Sequence, residues 1–211
     1  MLDLYHCKDA RSFRCLWLLE EMGATYNLIK LDYPPKETSP KYLEINPAGT
    51  VPCLVDGETT LFESGAILEY LTATDAGAAF AVRPGHPEYG NWLNWVHFGE
   101  ASLTVPLAAL FRFAHRLPPE QRQPGAAADC RAQFIEKLAV LERTLAHREY
   151  LADGRFTSAD ISVAYALMLA RALGLEGEFP PAVSAWLERV CARPAFAAAR
   201  AAQKAAPLAT L

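Results

Sequence analysis

The sequence predicts a chain in two parts: an α/β domain of order β-α-β-α-β-β-α over residues 1–76, and an all-helical domain over residues 88–211. Three observations predict it. Short apolar and β-branched runs recur in the first part, and two of them flank Asp56-Gly57, a dipeptide that favours a tight hairpin turn. Beyond residue 87 no strand pattern survives; alanine becomes frequent and the apolar spacing turns helical. Between the parts, Asp75-Ala76-Gly77 and Arg83-Pro84-Gly85-His86-Pro87 make residues 77–87 a turn-rich linker.

Leu2 to His6 is a short strand. Ser12 to Met22 carries Phe13, Leu16, Trp17 and Leu19 at helical spacing, with Gly23 suited to the C-cap. Tyr26 to Leu31 returns as a strand, a β-α-β unit that implies a parallel pair. Pro34-Pro35 and Ser39-Pro40 mark a loop, and Lys41 to Ile45 a short helix. Val51 to Val55 and Thr59 to Phe62 form the hairpin, and Ser64 to Thr74 the closing helix. The second part reads as helices over 88–115, 129–148, 158–173, 180–192 and 195–204. One start is sharp: in Phe156-Thr157-Ser158-Ala159-Asp160-Ile161, Thr157 as N-cap and Asp160 at the third helical position each take the other's N–H, with Phe156 and Ile161 as the hydrophobic staple.

Composition narrows the function. A length of 211 residues buries a substantial core, and a net charge of −4 argues against a nucleic-acid surface or a polybasic membrane patch. No apolar run approaches the roughly 18 residues that span a bilayer. Acid within the first residues argues against a signal peptide, so a cytoplasmic protein is expected. The five cysteines lack a Cys-x-x-Cys and the five histidines a His-x-x-x-His, so no metal site is expected.

The stretch Asn46 to Ser64 concentrates the candidate chemistry. Pro52 stands at the mouth of a strand, where its missing N–H is tolerated, and leaves the Val51 backbone available to another partner. Glu63-Ser64 opens a helix, whose unpaired N–H groups and positive dipole end attract a carboxylate, while the Glu63 side chain suits an ammonium group. Together these suit a short peptide ligand. Taken singly, Pro52 merely ends a strand and Ser64 merely caps a helix.

The order strand, helix, strand, then Asn-Pro-x-Gly-x-Val-Pro, hairpin and Glu-Ser-helix resembles the cytosolic glutathione transferase superfamily, in its bacterial and fungal branch, over nearly the whole chain. That resemblance implies a thioredoxin-like N-terminal domain, a cis bond before Pro52, and glutathione as co-substrate. It places Val51 and Pro52 on the cysteinyl main chain, Glu63 and Ser64 on the γ-glutamyl end, and Arg11 beside the site. Thr50 stands where the family often has lysine, which removes a cationic contact to the glycyl carboxylate.

Glutathione reacts as its thiolate, and lowering a thiol pKa from near 8.5 by about two units takes roughly 2.7 kcal/mol. One hydroxyl hydrogen bond plus a helix N-terminus suffices. The resemblance expects a hydroxyl donor at the position of Ala10, with Arg11, Ser12 and Arg14 continuing the motif. Without it the candidates are Ser12, Tyr5 in the first strand, Arg11 or backbone N–H groups. Ser12 is equally a simple N-cap and Tyr5 equally a core aromatic. Cys7, near the same helix start, suits a mixed disulfide with glutathione, as in thiol-transferase relatives.

The helix running from Trp92 resembles a Trp-Leu-x-Phe/Tyr-x-x-x-Glu-x-x-Leu pattern of the same branch, with Phe98, Leu103 and Phe111 expected along an apolar electrophile pocket. The resemblance implies a homodimer that conjugates glutathione to a small apolar electrophile. A glutathione-dependent reductase, peroxidase, isomerase or ether-cleaving enzyme, and a binding protein without turnover, are the rival expectations.

Overall fold

The computed structural model describes residues 1–209, which cluster into two compact units. The first unit comprises Met1–Ala81 and the C-terminal segment from Cys191; the second is Val82–Val190. The sequence expectation of one helical domain over 88–211 thus differs from the observed division, because α10 (Pro194–Ala205) packs on α1 (Ser12–Glu21). Phe196 explains the association: its ring meets Phe13 and Trp17 edge-on, with centroids 5.7 and 4.9 Å away. Arg193 adds a two-pronged ion pair to Glu21 at 2.7 Å per contact.

The first unit is thioredoxin-like, with a mixed four-stranded sheet. Its strands are β1 (Leu2–His6), β2 (Tyr26–Lys30), β3 (Cys53–Asp56) and β4 (Thr59–Leu61), in the order β2-β1-β3-β4. β1 pairs parallel with β2 and antiparallel with β3, so it is interior. Leu4 on β1 and Leu54 on β3 face each other in register and are both buried. The expected loop at Pro34-Pro35 instead holds one helical turn, α2 (Pro35–Thr38), because proline at a helix's first position costs no hydrogen bond. Two short helices follow in sequence, α3 (Tyr42–Ile45) and, after the hairpin, α4 (Ser64–Ala73). The first hairpin strand begins at Cys53, later than the expected Val51, since Pro52 cannot donate to the ladder.

The second unit is helical: α5 (Tyr89–His97), α6 (Val105–Phe111), α7 (Pro124–Leu145), α8 (Ser158–Ala172) and α9 (Pro181–Cys191). The expected continuous helix 88–115 is interrupted by wide π turns at Phe98–Thr104 and Arg112–Arg116. Pro106 lacks an N–H inside this stretch. Gly99 lies so close to Ser162 that a Cβ would stand 2.4 Å from its hydroxyl, and Ser162 Oγ donates to the Val96 carbonyl at 2.7 Å. Helix α8 starts with the expected capping box: Thr157 N–H donates to Asp160 at 2.9 Å. Asp160 also accepts from Leu151 N–H at 3.1 Å and Trp186 Nε1–H at 3.2 Å. No helix among the described residues is long and apolar enough to cross a membrane.

Candidate functional site

The Asn46–Pro52 segment is built from the side chains beneath it. Asn46 is fully buried; its Oδ1 accepts Ala48 N–H at 3.1 Å and its Nδ2 donates to the Thr50 carbonyl at 2.9 Å. The buried Tyr42 hydroxyl donates to the same carbonyl at 2.6 Å. Gly49 sits at φ +63, and a Cβ there would lie 2.7 Å from the Lys36 Cβ, so the loop requires glycine. These contacts fix the peptide ahead of Val51. The Val51-Pro52 bond is cis, as is Tyr33-Pro34. Val51 and Pro52 are buried outside the β3 ladder, whose pairing begins at Cys53 opposite Tyr5, and Thr50 is exposed.

At the start of α4, Glu63 is the exposed N-cap in extended conformation, and Ser64 beside it is only 3% exposed. Arg14 is entirely buried and its Nη1 donates to Ser64 Oγ at 3.1 Å. A guanidinium therefore lies behind the helix terminus and leaves the Ser64 hydroxyl proton directed to another acceptor. Cation, hydroxyl and helix dipole converge on one place, a geometry that favours a carboxylate.

The thiolate-donor candidates lie differently from one another. Ser12 is fully buried: its Oγ stands 2.8 Å from His6 Nδ1 and accepts Cys7 N–H at 3.3 Å. Its hydroxyl therefore turns into the protein, onto His6 and the Cys7 main chain. Tyr5 packs in the core with its ring 5.3 Å from Tyr42, and burial pushes its phenol pKa upward. Arg11 is the half-buried N-cap of α1. Burial pushes the Cys7 thiol up to about 12 and Cys53 up to about 11, which holds both as neutral packing groups.

The aromatic candidates are spread along the second unit. Phe98 is half-buried and its ring meets Trp95 edge-on at 5.1 Å; Phe111 is 40% exposed. Leu103 is fully enclosed, so it supports this segment from within rather than lining an open recess. A recess of about 490 Å³ in the same unit is lined by Glu88, His147, Arg148, Glu149, Asp153 and Gly154. It is a salt-bridged surface: Arg148 meets Glu88 at 2.6 Å and holds that carboxyl down to about 2.

Family models for the glutathione S-transferase N-terminal domain and C-terminal domain match residues 1–73 and 124–189. The chain belongs to the glutathione S-transferase family. It is 28% identical to "Glutathione S-transferase 3" of Schizosaccharomyces pombe, over 92% of this chain and 85% of the relative. It is 30% identical to "Disulfide-bond oxidoreductase YfcG" of Escherichia coli, over 92% of both. The crystal structure of glutathione transferase URE2P6 from Phanerochaete chrysosporium with oxidized glutathione superposes with a TM-score of 0.85, at 31% identity and 96% coverage of each chain. In this member of the family the Asn46–Ser64 segment and the α1 start lie in the N-terminal family domain. Arg14 continues the sequence motif without an expected task; a charged residue on the apolar face of an amphipathic helix is the signal that marks it.

Proposed function

We propose that this member of the glutathione S-transferase family holds glutathione along Thr50, Val51, Pro52, Glu63 and Ser64 and conjugates its thiolate to a small apolar electrophile, the sulfur staying on the cysteinyl residue as it forms the new bond. The observation that carries the reading is the Arg14–Ser64 hydrogen bond at an α4 terminus that also exposes Glu63. The γ-glutamyl carboxylate takes the Ser64 hydroxyl and the helix dipole; its ammonium takes Glu63. With Ser12 turned inward and Ala10 lacking a hydroxyl, main-chain N–H groups at the α1 start and the Arg11 guanidinium hold the thiolate, in preference to Ser12 or Tyr5. Phe98 and Phe111 border the electrophile, with Leu103 behind them. The enzyme works in the cytoplasm as a homodimer, in detoxification and without a metal. Exposed Val105 and Val140 offer the helical unit apolar contacts for a second copy.

Retention on immobilised glutathione, with conjugation of a chloronitrobenzene, tests this. Glu63→Ala is expected to weaken binding about tenfold or more, the worth of one hydrogen bond to a charged group. Retention of the variant equal to the native chain overturns the assigned subsite.

A second reading is favoured by the same inward Ser12 and by the name of the E. coli relative. Here bound glutathione thiolate attacks a disulfide and expels one thiolate. A second glutathione then resolves the mixed disulfide, giving oxidised glutathione and two thiols. Disulfide turnover without conjugation selects it, and binding without either reaction selects a non-catalytic role.

A further inference from the structure

We infer that Gln203, on the C-terminal helix α10, is a positioning residue that sets the loop presenting the α1 terminus to the glutathione sulfur; this rests on the proposed placement of the thiolate at that terminus. Gln203 is fully buried and lies far from the loop in sequence, yet its amide makes three contacts there. Its Oε1 accepts Asp9 N–H at 3.1 Å and stands 3.2 Å from His6 Nε2, and its Nε2 donates to Asp9 Oδ1 at 2.9 Å. Arg200, one turn earlier on α10, reaches the same carboxylate oxygen at 2.5 Å. The amide's orientation follows from these partners, since a main-chain N–H only donates and a carboxylate only accepts. Oε1 therefore takes the proton of His6 Nε2, and His6 Nδ1 is left as an acceptor for the Ser12 hydroxyl 2.8 Å away. Burial keeps His6 neutral, with its pKa pushed down to about 4, and so preserves these roles. The charged groups around the ring, Asp9 and Lys30, act in opposite directions.

The loop needs such an anchor. Asp9 adopts φ +57, a left-handed conformation uncommon outside glycine. Ala10 N–H closes the turn on the Cys7 carbonyl at 3.1 Å, and α1 begins two residues later. The helix bearing Gln203 is itself tied to β2: Lys30 Nζ donates to the Gln203 carbonyl at 3.4 Å, and Ala209 N–H to the Lys30 carbonyl at 2.8 Å. The direction in which the α1 terminus points is thus determined jointly by the start and the end of the chain.

The test compares the pKa of enzyme-bound glutathione, read from ultraviolet thiolate absorbance, with affinity for S-methylglutathione, which has no thiol to ionise. In Gln203→Ala the bound thiol is expected to titrate about one unit higher, the scale of one lost contact to an anion, with S-methylglutathione affinity within about twofold of native. Gln203→Glu alone sets two carboxylates together and is expected to raise the thiol pKa as well. Gln203→Glu with Asp9→Asn exchanges donor for acceptor and offers Arg200, one turn away, the new carboxylate in place of the lost one, and is expected to restore the native value. A bulk folding role moves melting temperature and both affinities together, and gains nothing from that exchange. Native protein that fails to bind S-methylglutathione overturns the glutathione reading, and the inference with it. Native binding with an unchanged thiol pKa in Gln203→Ala overturns the inference alone. Should Gln203→Ala not fold, failure of the exchange pair to recover the native pKa, after Gln203→Glu has raised it, does the same.

Discussion

The two units each contain a knot of buried polar groups around one ionisable side chain, and the knots differ in reach. In the second unit Asp160 gathers Thr157 three residues before it, Leu151 nine before and Trp186 twenty-six after. In the first, His6 gathers the nearby Ser12 but also Gln203, 197 residues away. Burial drives the two groups in opposite directions: Asp160 is pushed up to about 6 and His6 down to about 4. Both shifts favour the neutral form. The local knot starts a helix. The distant one sits beside the proposed sulfur site, where chain ends must meet before the loop is set.

The largest expected effect falls on the local knot. Asp160→Ala leaves the Leu151, Thr157 and Trp186 N–H groups buried without their acceptor, at about 1–3 kcal/mol for each before relaxation. A loss of about 4 kcal/mol in unfolding free energy is expected in urea titration, with glutathione affinity of the folded fraction unchanged. A loss below about 1 kcal/mol, or a parallel loss of affinity, breaks the contrast between a folding knot and a site knot.

Opposite shifts give opposite pH dependences. The unfolded His6, with its ordinary value of 6.5, takes a proton before the folded one at about 4. Stability held above pH 6.5 is therefore lost as pH falls toward 4, by up to about 3 kcal/mol. Asp160 runs the other way. Its folded value of about 6 exceeds 3.8, so its contribution is full at low pH and is lost as pH rises through 6, by a similar amount. Between pH 6 and 4 the two oppose each other. Thermal unfolding across that range should show His6→Asn gaining on the native chain as pH falls and Asp160→Asn losing. A difference between native and His6→Asn that stays flat with pH sinks the neutral buried histidine.

The same contrast explains what could be read from the chain. The capping box was legible because Thr157 and Asp160 are three residues apart, and helix geometry brings such positions together. The hairpin at Asp56-Gly57 was legible for the same local reason, and Glu63-Ser64 because a helix start follows a strand. Gln203 carried no signal: a glutamine in an alanine-rich helix is indistinguishable from a solvent-facing one until Phe196 seats α10 on α1. The seat of α10 on α1 was hidden for the same reason, since periodicity identifies a helix but not the core that receives it. Ser12 shows a related limit. Its place at a helix start was legible, but the inward turn of its hydroxyl depends on His6.

Arg14 is the next test, of a side chain linking the start of α1 to the start of α4. Arg14→Met keeps the apolar stem and removes the donor to Ser64, with an expected loss of about 1.5–3 kcal/mol in glutathione affinity by calorimetry. Arg14→Lys should not restore it, because a point charge on a flexible stem lacks the planar fork that holds Ser64 at 3.1 Å. Restoration by lysine makes the site one of charge alone.

The smallest expected effect concerns Thr50, which is exposed on the loop that Tyr42 and Asn46 hold by its carbonyl. Because that carbonyl is fixed by two buried donors, replacing the side chain leaves the main chain in place. Thr50→Lys then adds only an exposed charge near the proposed glycyl carboxylate, worth about 0.2–1 kcal/mol, or up to about fivefold in affinity. Such a gain is screened as ionic strength rises, the Debye length shrinking from about 10 Å at 0.1 M to about 3 Å at 1 M. Calorimetry at low salt should therefore show tighter glutathione binding by the variant, and at 1 M salt equality with the native chain. A gain that survives high salt means that lysine makes a desolvated contact, and the glycyl end then lies deeper than an exposed Thr50 allows.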